Sequence, residues 1–520
     1  MHLRSFLSAC LAIMAAGCAA SPQGCDPCPF GPVPSQGAGD AVVVAVVDSG
    51  FDPYHYDFLA SEMPQARDGD PANDLPLDQD PATWLPGYPA ATAFASYDAL
   101  RITLPDGPKA VPQKLHDADQ KAWNGVKKSG ADGVHMRWLP GTKVVGFVDF
   151  AGNGGFATDS HGVGTTSVSV GNLHGSCPEC LFVFVNGPSE VANRWVEAQS
   201  WIDVQTNSWG TSSIGSALCA VPVCTGLPRD RVYSGSDTAS QRNATERGQA
   251  IFFSAGNGLA NDFTAPNPTL FSSQEGPDWI VTVGAVSPED GSAYSGAGKP
   301  VDVAGVGDAY PSAGGGTVTA DSTFGGTSNA TPVTAGEYAR ALYLVRREMG
   351  GASRMQQGGT VARQAGGCIG EGSCAGWTVS ADQLRHAFFA AANYTNPNMN
   401  AGGAKTVPAS TKEATYMAEG HGSFMGRLDG EGALENETER IADLALGELP
   451  MPVPDLDEEQ WFVADSFCRQ GVWGSWTHGD YVEGNTTLPA PDPNWPTRSF
   501  YATSCPQVVG AVVTASRMAP

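Results

Sequence analysis

Ser328 stands between a glycine pair and a run of helical periodicity, in the stretch Phe324-Gly-Gly-Thr-Ser-Asn-Ala-Thr-Pro332, and it has the setting of a nucleophile. Gly325 and Gly326 permit backbone angles that a side chain would forbid, and Pro332 suits a first helical turn. Val333, Tyr338, Ala339, Leu342 and Val345 recur at helical spacing, which predicts a helix starting here and stopping at Gly350-Gly351. A serine at such a start has backbone N–H groups aimed outward and the positive end of the helix dipole beneath it, which suits an anionic tetrahedral intermediate. The stretch taken alone is more often an ordinary helix cap. Chemistry here requires a base and an orienting acid elsewhere in the chain.

Three side chains supply candidates. Asp48 ends the β-branched run Ala41-Val-Val-Val-Ala-Val-Val47 and is followed by Ser49-Gly50; an acid there is either a ligand-site residue or a turn cap. His161 opens the small-residue stretch Ser160-His-Gly-Val-Gly-Thr-Thr-Ser-Val-Ser-Val-Gly171, from which a neutral imidazole can lean toward a neighbouring hydroxyl as a base. Asn257, in Ala255-Gly-Asn-Gly258, can donate its amide N–H to an oxyanion, although Asn before Gly is also a common tight turn.

Behind these residues lie the elements that must position them. Residues 41–47 read as a strand buried on both faces of a parallel sheet, and Lys143-Val-Val-Gly-Phe-Val-Asp149 resumes that sheet. Leu181-Phe-Val-Phe-Val185 runs into Asn186-Gly187, and Asp203-Val-Gln-Thr206 into Asn207-Ser208-Trp209-Gly210, with helical spacing over Glu190 to Trp201 between them. Such strands either line up against an extended peptide or are plain sheet. Ala250–Ser254, Trp279–Ala285 and Val301–Gly305 add further strands before Ser328.

Asp-Ser-Gly after the first strand, Ser-His-Gly opening a small-residue helix, Ala-Gly-Asn after a buried strand and Gly-Thr-Ser-x-Ala-x-Pro opening another helix occur in that order, and together they resemble the subtilisin family of serine proteases. The resemblance covers residues 41–446. It implies an α/β, subtilisin-like three-layer fold around a mainly parallel sheet, and a serine endopeptidase acting on protein or peptide substrates through an acyl-enzyme. Carried over position by position, Ser328 is the nucleophile, His161 the base and Asp48 its orienting acid. Asn257 joins the Ser328 amide in the oxyanion hole, Ser208-Trp209-Gly210 lines the pocket for the residue before the cut, and Asn186-Gly187 belongs to the opposing substrate strand. The chemistry so implied requires no cofactor. Asp57 matches a position that often binds calcium in the family, but its partner loop is not recognisable, so structural calcium is left open and no metal ligand is assigned. The alternative implied by the same fold is a catalytically inactive binding protein at the cell surface.

The chain has 520 residues, 41% of them hydrophobic, which is ample for one large domain with extensions. Residues 1–18 carry Arg4 and an apolar run from Phe6 to Ala16, the pattern of a secretory signal. Met14-Ala-Ala-Gly-Cys18 resembles a bacterial lipobox with Cys18 as the lipidation site, the alternative being ordinary cleavage near Ala20. The expected location is therefore exported: a bacterial cell-envelope lipoprotein, otherwise secreted, meeting the membrane only through that anchor. Residues 19–40 read as a Pro- and Gly-rich tether; the catalytic domain, 41–446, carries insertions near 60–140 and 351–380; 447–520 form a small disulfide-closed extension or a separate binding module. Of twelve cysteines, all but Cys10 and Cys18 fall into the pairs 25/28, 177/180, 219/224, 368/374 and 468/505, read as disulfides of an exported protein, with zinc as the alternative for the two Cys-x-x-Cys units. A formal net charge of -25 without basic patches argues against nucleic acid as a partner.

Overall fold

The computed structural model describes residues 41–69, 74–106, 109, 111–156, 161–209, 240–241, 243–245, 247–254, 257, 280–286, 303–307, 310–314, 318–319 and 321–348, with 384, 387–388, 438–439 and 441–442 beyond them. The signal, tether and C-terminal extension expected from the sequence lie outside these residues, as do Gly210, the segment 351–380 and every expected cysteine pair except 177/180.

Nine strands form one sheet: β1 (Val43–Asp48), β2 (Ser96–Ala99), β3 (His135–Trp138), β4 (Val144–Asp149), β5 (Leu181–Asn186), β6 (Val204–Asn207), β7 (Ala250–Ser254), β8 (Val281–Val286) and β9 (Val303–Val306). Their spatial order is β2-β3-β4-β5-β1-β6-β7-β8-β9, and every neighbouring pair is parallel except β3 with β4. A separate antiparallel hairpin pairs β10 (Tyr310–Ala313) with β11 (Asp321–Phe324). The helices that matter for the site are α1 (Gln113–Asn124), α2 (His161–Val170), α3 (Glu190–Glu197) and α4 (Thr327–Glu348). Among the described residues no helix is long and apolar enough to cross a membrane.

β1 is central and buried along its whole length, which is why it reads as an uninterrupted apolar run and not as an alternating one. Val42, Val44 and Val46 face a core shared with Val163 and Val170 of α2 and with Ala335, Tyr338 and Leu342 of α4. Val43, Ala45 and Val47 face the opposite core with Ala192 and Val196 of α3. Three layers result, with the sheet in the middle, as the sequence implied.

The segment 60–140, expected as an insertion, is built into the sheet. It adds β2 and β3 to the sheet and delivers α1, whose Trp123 is fully buried against Phe51, Phe147 and Phe156. Its strands are four residues long and partly polar, too short to show a period.

The end of α4 is fastened to the sheet. Arg346, fully buried, donates to both carboxylate oxygens of the equally buried Asp203, at 3.0 and 2.6 Å, and to the carbonyl of Ala41 at 3.0 Å. Asp203 also accepts the Val43 N–H at 2.9 Å, so one ion pair ties α4 to the entrances of β1 and β6.

Candidate active site

Because β1, β6 and β7 are adjacent and parallel, their carboxyl ends emerge on one edge. Val47 pairs with Asn207 and Asn207 with Phe253, so the residues that follow, Asp48, Ser208 and Ser254, line up across three strands. Ligand sites of open α/β sheets form at this edge.

Asp48 is 2% exposed, and one carboxylate oxygen accepts both the Ser49 N–H at 2.6 Å and a hydrogen bond from His161 Nδ1 at 2.8 Å. The first turn of α2 reaches Asp48 because it has no side chain in the way. Gly162 donates its N–H to the Ser49 carbonyl at 2.9 Å, and a Cβ there would lie 2.0 Å from the Gly50 carbonyl oxygen. With Nδ1 turned to the acid, Nε2 is the ring nitrogen left for a proton transfer. The ring packs against Phe324 in a T-shaped contact with centroids 5.2 Å apart, and Phe324 also fills the space that a Cβ on Gly164 would take.

Ser328 is the second residue of α4, at the end of the turn that follows β11. The helix begins at Thr327, so Pro332 sits inside it and not in its first turn. The earlier start is set by Gly326, at φ 75°, whose carbonyl accepts from both Asn329 N and Ala330 N. Three consecutive residues of this first turn are each held by a different segment of the chain. Thr327 donates its N–H and hydroxyl to Asn257 Oδ1 at 2.9 and 3.0 Å, the Ser328 carbonyl accepts from Ser208 Oγ at 3.0 Å, and Asn329 Nδ2 donates to the Val306 carbonyl at 2.9 Å.

The bond from the Thr327 N–H fixes the amide orientation of Asn257. A backbone N–H can only meet an acceptor, so Oδ1 faces Thr327, and the Nδ2 hydrogens of this exposed residue are left to donate elsewhere. Thr327 therefore orients the expected oxyanion donor. Sequence reasoning missed that role, and its one signal was that Thr327 precedes Ser328.

The remaining expected residues are placed differently from one another. Ser208 is buried and tied to Ser328; Trp209 packs its indole on Phe253 and donates Nε1–H to Asn207 Oδ1 at 3.2 Å; Gly210 lies outside the described residues. Asn186 is 1% exposed, and its amide works inside the protein. Nδ2 donates to Asp149 Oδ1 and Asn153 Oδ1, both at 2.8 Å, and Oδ1 accepts the Gly50 N–H at 3.3 Å. Gly187, at φ 94°, donates its N–H to the Asp48 carbonyl at 3.0 Å. Both residues thus support the turn that carries Asp48.

Asp57 does not fit a calcium ion. Leu173 N and Ser167 Oγ donate to its two carboxylate oxygens, and the buried ammonium of Lys143 lies within electrostatic reach. Lys143 donates to the carbonyls of Val170, at the end of α2, and Pro178, so the cation beside Asp57 belongs to the chain itself. Burial pulls this ammonium down to about 7, with Asp57 and then Glu179 opposing. Pro178 lies within the buried disulfide Cys177–Cys180, which agrees with the expected pairing.

The sheet thus gathers an acid–histidine pair, a helix-start serine and an oriented amide at its carboxyl edge. The family model of the subtilase family, peptidase S8, matches residues 39–357, and the chain belongs to that family. Among solved structures, the one titled "Structure of Prenylagaramide maturation protease PagA" is similar, with 13% identity, a TM-score of 0.39, and coverage of 78% of this chain and 95% of that one. No match is found among curated protein sequences. Membership in the subtilase family carries serine peptidase activity in general, on protein or peptide substrates.

Proposed function

We propose that this protein is an exported serine endopeptidase working through Asp48, His161 and Ser328. The observation that carries this reading is the 2.8 Å contact of Asp48 with His161 Nδ1, made on the same strand edge to which the Ser328 turn is fastened. In the reaction, Ser328 Oγ attacks the scissile carbonyl while His161 Nε2 takes its proton; the proton then goes to the departing amine, leaving an acyl-enzyme that water hydrolyses by the same route. Asp48 keeps the Nδ1–H tautomer and steadies the imidazolium. Asn257 Nδ2 and the Ser328 amide hold the oxyanion, and it is the backbone of the Ser208–Gly210 segment that takes the substrate. The disulfide Cys177–Cys180 supports the exported setting, and Cys18 is the proposed lipid anchor.

A fluorophosphonate probe tests this reading directly. The mature protein is expected to be labelled, and Ser328→Ala to abolish the labelling. Equal labelling of the variant would sink the assignment; no labelling of either would point to a subtilase-fold protein that binds without turnover.

A further inference from the structure

Helix α4 has a gap where its chemistry matters most. In a regular α-helix the carbonyl of residue i accepts the N–H of residue i+4, so the Ser328 carbonyl should accept from residue 332. That residue is proline, which has no N–H and whose ring crowds the carbonyl four residues back. The Ser328 carbonyl accepts instead from the Ser208 hydroxyl at 3.0 Å, across 120 residues of sequence.

Ser208 is well placed to be a fixed donor. Its own strand end is pinned by Asn207, whose Oδ1 accepts from Gln205 Nε2 at 3.1 Å and from Trp209 Nε1 at 3.2 Å, and whose Nδ2 donates to the Phe252 carbonyl at 3.0 Å. A buried hydroxyl held on such a strand loses little freedom when it bonds.

We propose that Ser208 is a positioning residue: its hydroxyl replaces the helix donor that Pro332 removes and so fixes the backbone of the nucleophile. The inference rests on the reading of Ser328 as nucleophile. Ser208→Ala leaves the Ser328 carbonyl without its donor, and the first turn of α4 loses one of its three side-chain ties. Labelling and kcat are expected to fall about tenfold, the rate equivalent of roughly one hydrogen bond, with KM unchanged. Adding Pro332→Ala restores a backbone N–H at the i+4 position, so the double variant Ser208→Ala/Pro332→Ala is expected to recover most of the loss. A residue that merely touched substrate would raise KM when lost, and replacing the proline behind the nucleophile would not rescue it.

Wild-type labelling by Ser208→Ala, a rise in KM with unchanged kcat, or failure of Pro332→Ala to restore the rate would each overturn the proposal. Urea unfolding of the four proteins in the same cycle gives a readout independent of turnover. The stability lost on Ser208→Ala is expected to shrink when residue 332 is alanine, and strict additivity would refute the replacement. If the wild type is not labelled at all, the peptidase reading fails while the unfolding cycle still decides whether Ser208 fills the gap.

Discussion

Gly326→Ala probes how tightly Asn257, the proposed oxyanion donor, is held. Gly326 has φ 75°, so any L side chain there costs roughly 1–2 kcal/mol in backbone strain. The added Cβ would lie 2.7 Å from Asn257 Oδ1 and 3.0 Å from Nδ2, and the first of these falls about 0.7 Å short of the 3.4 Å at which ordinary contact begins. The amide must therefore retreat from the bonds with which Thr327 orients it. A displacement approaching 1 Å in a catalytic group costs on the order of 10²-fold, so kcat is expected to drop by about 10- to 100-fold. Removal of the corresponding donor in subtilisin costs about 10²–10³ in kcat, which sets the upper bound for Asn257→Ala here. Steady-state kinetics on a peptide substrate, with thermal unfolding in parallel, separate the two effects. In an Asn257→Ala background, Gly326→Ala should cost little further in kcat while its stability cost persists in part. An equal loss of kcat in both backgrounds, or wild-type kcat in the single variant, would refute the reasoning.

Asp48→Asn should lower kcat by about 10³–10⁴, because an amide donating to Nδ1 leaves the proton on Nε2, where the base function is needed; labelling kinetics check this. Arg346→Met should destabilise the fold by about 3–5 kcal/mol in denaturant titrations, since Asp203 is left buried with its charge uncompensated. Lys143 carries a pH dependence of definite sign. Its folded value, about 7, lies below the ordinary 10.5, so the unfolded chain binds more protons between those values. Its penalty on folding is constant below pH ~7 and is relieved as pH rises through the window from about 7 to about 10.5. The melting temperature of the wild type relative to Lys143→Met should therefore climb from pH 7 to pH 9; a flat or falling difference would show that the ammonium is not depressed.

Much of the fold was legible because burial leaves a composition. A strand covered on both faces, such as β1, has no polar face to show, and a helix packed against a neighbouring turn, such as α2, must open on Gly162 and Gly164. Other parts left no such trace. β11, which delivers Ser328, is a run of exposed Asp321, Ser322 and Thr323 without alternation, and β2 and β3 are too short to display a period. Asn186-Gly187 fits a substrate strand and an internal tie equally well at the level of residue types. Only the arrival of Asp149, Asn153 and Gly50 around the amide shows it engaged within the protein.

Sequence alone named the candidate reactive groups and their order, and showed that parallel strands present them, because side-chain chemistry and burial periodicity are local properties. The tertiary structure decided which groups hold the reactive ones in place. Thr327 meets Asn257 across 70 residues and Ser208 meets Ser328 across 120, and both encounters follow from β6 and β7 lying side by side against α4. Strand order is set by how whole layers pack, so the donor that fills the gap left by Pro332 could not be read from the residues around it.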